Sequence, residues 1–460
     1  MPYAYLSLSA LLTQLSEKLD DPNFVYWNSS ELTAYIQEAM RCWQSLSGYW
    51  RARMAFNTSA STPFYDLTAQ TGTLIPFTLK DSDVVSEMLY HLLEPQLAGG
   101  LYAGTDMFVL DDITKALERR RNQFLVETGM VLTVSTVNAG IPPVSRVQLA
   151  DNVIDVRRVA LISQGTPYGF GPYGAGPYGG TGIKTPIWRT NEFGAQAYDA
   201  GWAQNPSDPT IGYSVAVTPP VTIALIPPQA NAAQLELVTL NAGAVLNPAV
   251  GVLMGVPDNL AWVVKWGALA DLLSKSGVAQ DLPRAAYCEQ RYREGIKIAR
   301  IHTSAVWAAI DGVETFISAI DSFDAYRPDW EASVAPPKGV ALGSWNLLAL
   351  SPVPDTNNHS VRLDVVQNAP VPVLGTDKVQ VGREELDVLI EYAQHLALFK
   401  IGGGEFLETA PLYDNMLQMA ALFNERLQAQ VDYLRPMADR AVREEQLRPR
   451  RAPVEMTQEA

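Results

Sequence analysis

The residues that most invite a chemical reading are TPYGFGPYGAGPYGGTG, 166–182, which hold a nominal Gly-x-Gly-x-x-Gly from Gly169 to Gly174. Such a loop cradles a dinucleotide when a strand precedes it and a helix N-terminus comes after it, because the helix supplies unpaired backbone N–H groups for the pyrophosphate. Here a strand-like run precedes the loop, but Pro172, Pro177 and Pro186 punctuate the chain beyond Phe170 and no helix pattern begins. No acidic residue stands where the ribose hydroxyls would need it. GGTGIKT also misses a P-loop, since Ile183 separates Gly182 from Lys184. Nucleotide binding is therefore set aside. The recurring unit is Pro-Tyr-Gly, starting at Pro167, Pro172 and Pro177, five residues apart. Glycine supplies positive-φ turns, proline fixes φ, and tyrosine offers a large amphipathic ring at low entropy cost. Tyr168, Tyr173 and Tyr178 read as anchors of an arm that orders against a neighbouring molecule. The alternative is an unengaged surface loop.

Other reactive patterns do not assemble. No Gly-x-Ser-x-Gly is present, and Cys42 and Cys288 lie in helix-like segments without a Cys-x-x-Cys partner. They read as two buried, reduced thiols. The four histidines, His91, His302, His359 and His395, are scattered without metal-ligand spacing. His395, inside AQHLALFK, reads as a core or interface residue. The carboxylate pairs Asp111-Asp112 and Glu384-Glu385 fall in the first turns of predicted helices, where acids complement the macrodipole. No catalytic, cofactor-binding or metal-binding residue is expected, and the chain does not read as an enzyme.

Composition points towards partners. Of 460 residues, 47% are hydrophobic and only 18% charged, which excludes a disordered chain. So few charges on a chain of this size fit a surface covered by other subunits; an uncharged, loop-rich surface is the other explanation. The net charge of −15 argues against binding nucleic acid through phosphate neutralisation. The short basic runs, at Arg119–Arg121 and around Arg448–Arg451, read as solvated faces. The first residues do not read as a signal peptide, and no 18-residue apolar run predicts a membrane span.

The elements that would carry these residues are helical at both ends and in the middle. In region 1–130 a first helix carries Leu8, Leu12, Leu15 and Leu19. A second begins at Asn28 with Glu31 in a capping-box-like pair, and its stripe runs Leu32, Ile36, Ala39, Trp43, Leu46, Trp50. Trp43, Tyr49 and Trp50 read as helix packing. Two more helices come next, from Asp83 and from Asp106, the latter ended by Gly129. Region 131–255 is β-rich, with the Tyr/Gly/Pro loop at 165–186; its prolines predict edges and turns rather than a long central sheet. Region 256–325 reads as a helical hairpin, its second helix running on through HTSAVWAAI. Region 326–380 reads as proline-rich and irregular with short strands such as HSVRLDVV. Region 381–434 reads as a second hairpin, and 435–460 as a charged tail. The expected fold class is thus α+β: helical hairpins or a bundle from the N-terminal, central and C-terminal segments, with one β-rich inserted region. Three glycine-bearing turns, EPQLAGG, LSKSGVAQD and FKIGGGEF, each join two helices, by duplication or by chance recurrence of a common motif.

Three segments carry a family resemblance. YWNSSELTAYIQEAMRCWQSLSGYWRARMAFNTSASTPFYDL places an aromatic before the helix cap, then Glu31-Leu32, Tyr35-Ile36, Glu38-Ala39, Arg41, Trp43 and Gly48-Tyr49-Trp50. With AWVVKWGALADLLSKSGVAQDLPRAAYCEQRYREGI and LIEYAQHLALFKIGGGEF, it resembles virion structural proteins of tailed bacteriophages, most of all the head-to-tail adaptor (neck, connector) proteins. The β-rich region and the Pro-Tyr-Gly loop have no counterpart in that pattern. The resemblance implies a homo-oligomeric ring, commonly a dodecamer. It implies the portal protein and the next tail component as partners, with DNA passing through without specific binding. It implies residence in the virion neck or tail, and in host cytoplasm before assembly. A negative net charge suits a conduit through which phosphates slide. The tail, with Arg435, Arg440 and Arg448, is expected to insert against a partner such as the portal. A baseplate or fibre-attachment protein is the nearest alternative; a cell-wall or glycan hydrolase is the alternative from another class.

Overall fold

The computed structural model describes residues 5–94, 107–139, 144–162, 184–206, 210–217, 220–231, 234–327, 330–402, 406 and 408–424. Helices α1 (Leu8–Lys18) and α2 (Ser29–Ser47) open the chain, and after them come strands β1 (Arg51–Asn57) and β2 (Phe64–Asp66) and helices α3 (Asp81–His91) and α4 (Leu110–Thr128). The next elements are β3 (Thr133–Asn138), β4 (Val144–Gln148), β5 (Val153–Ile162), β6 (Lys184–Arg189), α5 (Glu192–Tyr198), β7 (Gly212–Ala216), β8 (Thr222–Gln229) and β9 (Gln234–Asn241). The remainder is α6 (Ala261–Ser274), α7 (Leu282–Ile301), β10 (Ala305–Ile310), β11 (Val313–Thr315), β12 (Ile317–Ala319), α8 (Ile320–Tyr326), β13 (Gly339–Leu342), β14 (Leu347–Ser351), β15 (Ser360–Val366), α9 (Arg383–Leu398) and α10 (Ala410–Ala421).

Local chemistry explains the helix limits. Asn28 caps α2 by accepting from Glu31 N at 2.8 Å, and the apolar stripe from Leu32 to Leu46 is buried. Gly48, at φ +59°, ends the helix in the left-handed region that glycine enters without strain. Trp50 therefore leaves the helix, and its N–H donates to Gln44 Oε1 at 2.9 Å. Helix α6 is apolar nearly all round and is buried on every side. It meets α7 so closely that a Cβ on Gly295 would lie 2.5 Å from Val263 Cγ2. Gly295→Ala is expected to lower stability by about 1–3 kcal/mol through overpacking, read from the urea midpoint.

Three sheets run among these helices, which overturns the expected α+β bundle with a single inserted β region. One four-stranded sheet has the order β1-β15-β10-β11, a second has β12-β13-β14-β2, and the third has seven strands, β3-β9-β5-β6-β7-β8-β4. Both four-stranded sheets draw strands from segments that local pattern assigns to helix or irregular chain, giving a mixed α/β molecule. Strand β10, AVWAAI, is the apolar run that local pattern appends to α7; the helix stops at Ile301 and the strand pairs with β15. Strands β13–β15 lie within 326–380, β15 coinciding with the expected HSVRLDVV.

The seven-stranded sheet is also longer than its prolines suggest. Pro186 sits inside β6 opposite Ala160. The two edge strands, β3 and β4, are joined by residues 139–143 alone, a reach of about 21 Å. Six flat inter-strand spacings would separate them by about 29 Å. The sheet must therefore curl into a half-barrel, and Val156, Val159, Ile223, Leu225, Leu235 and Leu237 fill its concave side. Its β9 end merges with the main core through Val238 and Leu240.

Candidate functional site

Tyr168, Tyr173 and Tyr178, expected as arm anchors, lie outside the described residues, as do Arg435, Arg440 and Arg448. The structure does describe where the tyrosine loop is rooted. Ile162 and Lys184 face each other in the antiparallel β5–β6 ladder, so 163–183 leaves and re-enters the barrel wall at one place.

That root is clamped by buried charge. Lys184 donates to Glu236 of β9 and lies 3.0 Å from Glu331 Oε2. Arg158 of β5 holds Asp324 of α8 with both arms of its fork, Nε to Oδ2 at 2.6 Å and Nη2 to Oδ1 at 2.9 Å. Its Nη2 also donates to Glu331 Oε1 at 2.5 Å, and its Nη1 lies 3.6 Å from Glu236 Oε1. Trp330 Nε1 donates to Asp324 Oδ1 at 2.9 Å, and the rings of Trp330 and Phe64 both lie 5.8 Å from the guanidinium. The side chains of Glu331, Glu236 and Arg158 are 1%, 6% and 8% exposed, so bulk water screens little of this. Burial opposes charge on Lys184 and Arg158, but the facing carboxylates more than offset it and raise both pKa values. Glu236 is pushed up to about 7, first by burial and then by Glu331. This cluster ties β5, β6 and β9 to α8 and the turn after it.

Apolar side chains stand exposed beyond the clamp. Trp188 of β6 is 70% exposed and Phe193 of α5 is 82% exposed. Ile211, whose carbonyl accepts from Trp188 N at 3.1 Å, is also exposed. A separate groove of about 800 Å³ opens where α2 and α7 end, lined by Gly48, Arg51, His302, Val306, Phe316 and Phe423. Phe316 at its rim, on the β11–β12 corner, is 95% exposed. Isolated exposed apolar residues are ordinary, but aromatic groups of this size on a barrel wall and at a groove fit contact surfaces.

Inside the helical layer the titratable residues are buried against charged and aromatic neighbours. Lys265 of α6, fully buried, donates to Glu38 of α2 and lies 3.4 Å from Glu87 and 3.2 Å from His91 Nε2. Lysine has only donors, so His91 Nε2 accepts and the ring proton is on Nδ1. Burial, Lys265 and Arg284 hold the His91 pKa well below the ordinary value. Arg41 completes the group at 3.3 Å from Glu87. Burial pushes the Cys42 thiol up to about 11 and the Cys288 thiol higher still, so both stay protonated at neutral pH. His395 is pushed down to about 3 by burial and Arg291, and bonds Tyr287 and Thr409 at 2.7 and 3.0 Å. Asp111 and Asp112 pair with Lys115 and Lys275, and Glu384 and Glu385 occupy the first turn of α9. His302 stacks on Trp345. His359 is pinned between Asp355 and Asp311, which raise its pKa, but they bind opposite ring nitrogens and share no point that could seat an ion.

Sequence reasoning missed both charge clusters. The available signal was charge set inside an apolar run: the adjacent Arg157 and Arg158 in VRRVALI, Glu236 in QLELVTL and Lys265 in WVVKWGALADLL. Such a residue either faces water or demands a buried partner. Among the described residues no group of three or more His, Cys, Asp or Glu is placed to hold a metal ion, and no helix is long and apolar enough to cross a membrane. No protein-family model matches the chain, and no curated protein matches it.

Proposed function

We propose that this chain is a structural subunit of a tailed-bacteriophage particle, a head-to-tail adaptor that forms a ring between portal and tail around the DNA path. The observation that carries the reading is that the three segments bearing the resemblance pack as one unit. Glu38 accepts from Lys265 and, at 3.1 Å, from Trp266 Nε1, while Trp27 Nε1 donates to the Ala397 carbonyl at 3.2 Å. A shared helical layer is what a family signature spread over a chain requires. The exposed aromatics of the barrel wall and the groove at Phe316 then act as contacts to neighbouring copies, to the portal and to the next tail component.

Electron microscopy of the purified protein tests this. Rings of about twelvefold symmetry are expected, in keeping with closed heterologous interfaces. Threefold or sixfold assemblies would move the assignment to a baseplate or fibre-attachment part. Monomeric protein that hydrolyses glycans, with activity lost on a single Asp or Glu substitution, would overturn it.

A further inference from the structure

The charges at the root of the tyrosine loop do not balance. Arg158 and Lys184 face Asp324, Glu236 and Glu331: two cations against three carboxylates. Among the described residues no other cation forms an ion pair with this group. Glu236 on β9 meets Arg158 from β5, Lys184 from β6 and Glu331 from the turn Trp330–Ala332, and its Oε1 receives no hydrogen bond. A third buried negative charge without a cation costs more than binding a proton. The imbalance also depends on position. Asp324 and Glu331 belong to α8 and the turn Trp330–Ala332, a strap whose two carboxylates face β5, β6 and β9 and whose Trp330 is buried and donates to Asp324. With the strap lifted, Glu236 faces two cations and no other carboxylate.

We infer that the strap, residues 320–327 and 330–332, is seated on the barrel by a proton-linked contact, Glu236 holding one proton while the strap is down and releasing it when the strap lifts. Lys184 belongs to the contact and is the first residue after 163–183, so the same proton governs the rigidity of the loop's root. The direction is set by the elevated Glu236 value of about 7 against an ordinary 4.5. The stabilisation is complete below the ordinary value, declines as pH rises between the two, and is lost above 7. Acid seats the strap and mild alkali loosens it.

Hydrogen exchange in the full-length protein reads this directly. After correction for intrinsic rates, protection of amides in 320–327 and 330–332 is expected to fall about tenfold to hundredfold between pH 5.5 and 8, as one linked proton dictates. Glu236→Gln, neutral at every pH, should keep the low-pH protection throughout. Asp324→Asn, which equalises the two signs of charge, should flatten the dependence as well and serves if the first variant does not fold. Wild-type protection that is the same at both pH values, or a fall in Glu236→Gln matching the wild type, would overturn the inference.

Discussion

Lys265→Met is expected to destabilise the protein by about 3–5 kcal/mol, the cost of breaking a buried ion pair from one side. Methionine nearly conserves the volume, so the loss is not a cavity effect. It strands Glu38, 1% exposed, and leaves Glu87 with Arg41 alone. The same deletion removes the donor to His91 Nε2 and the ammonium 5.3 Å from the Trp266 ring. Denaturant unfolding measures the loss, and the double substitution Lys265→Met with Glu38→Gln should recover part of it, because no bare carboxylate then remains at that position. A single-variant loss below about 1 kcal/mol would mean that water reaches the group and that the helical layer is looser than its burial indicates.

The second large effect concerns assembly rather than folding. Residues 163–183 can be replaced by Asn-Gly, because Ile162 and Lys184 are directly opposite and a two-residue type I′ turn closes such a ladder. Shortening the connection from 21 residues to two favours the folded monomer by about 2 kcal/mol in loop-closure entropy. Removing Tyr168, Tyr173 and Tyr178 takes away three anchors worth about 1–2 kcal/mol each, so self-association should weaken at least about hundredfold. Thermal unfolding and sedimentation on the same sample separate the two quantities. Unchanged association would show that the tyrosines are surface ornament.

How far the molecule is legible in its sequence depends on the range of its interactions. Helix α2 is readable because its cap, stripe and terminal glycine are all local. Its stripe extends too far by spacing alone, to Trp50, since spacing cannot register that Gly48 turns the backbone left-handed. Strand β15 is legible as HSVRLDVV, but the pairings of the four-stranded sheets escape a local reading because they are non-local: β1 pairs with β15, Arg51 opposite Val366. A short apolar run such as AVWAAI carries no periodicity that separates strand from helix. At the candidate site the tyrosine repeat is visible, whereas its clamp joins residues as far apart as Arg158 and Glu331. Only the oddity of charges set within apolar runs hints at it.

The claim on which the rest depends is that this protein works by contact between copies. The mass of the full-length chain by sedimentation equilibrium, across micromolar concentrations near neutral pH, tests that most directly. A discrete closed oligomer of fixed stoichiometry is the predicted result; a species that stays monomeric at every concentration would contradict it.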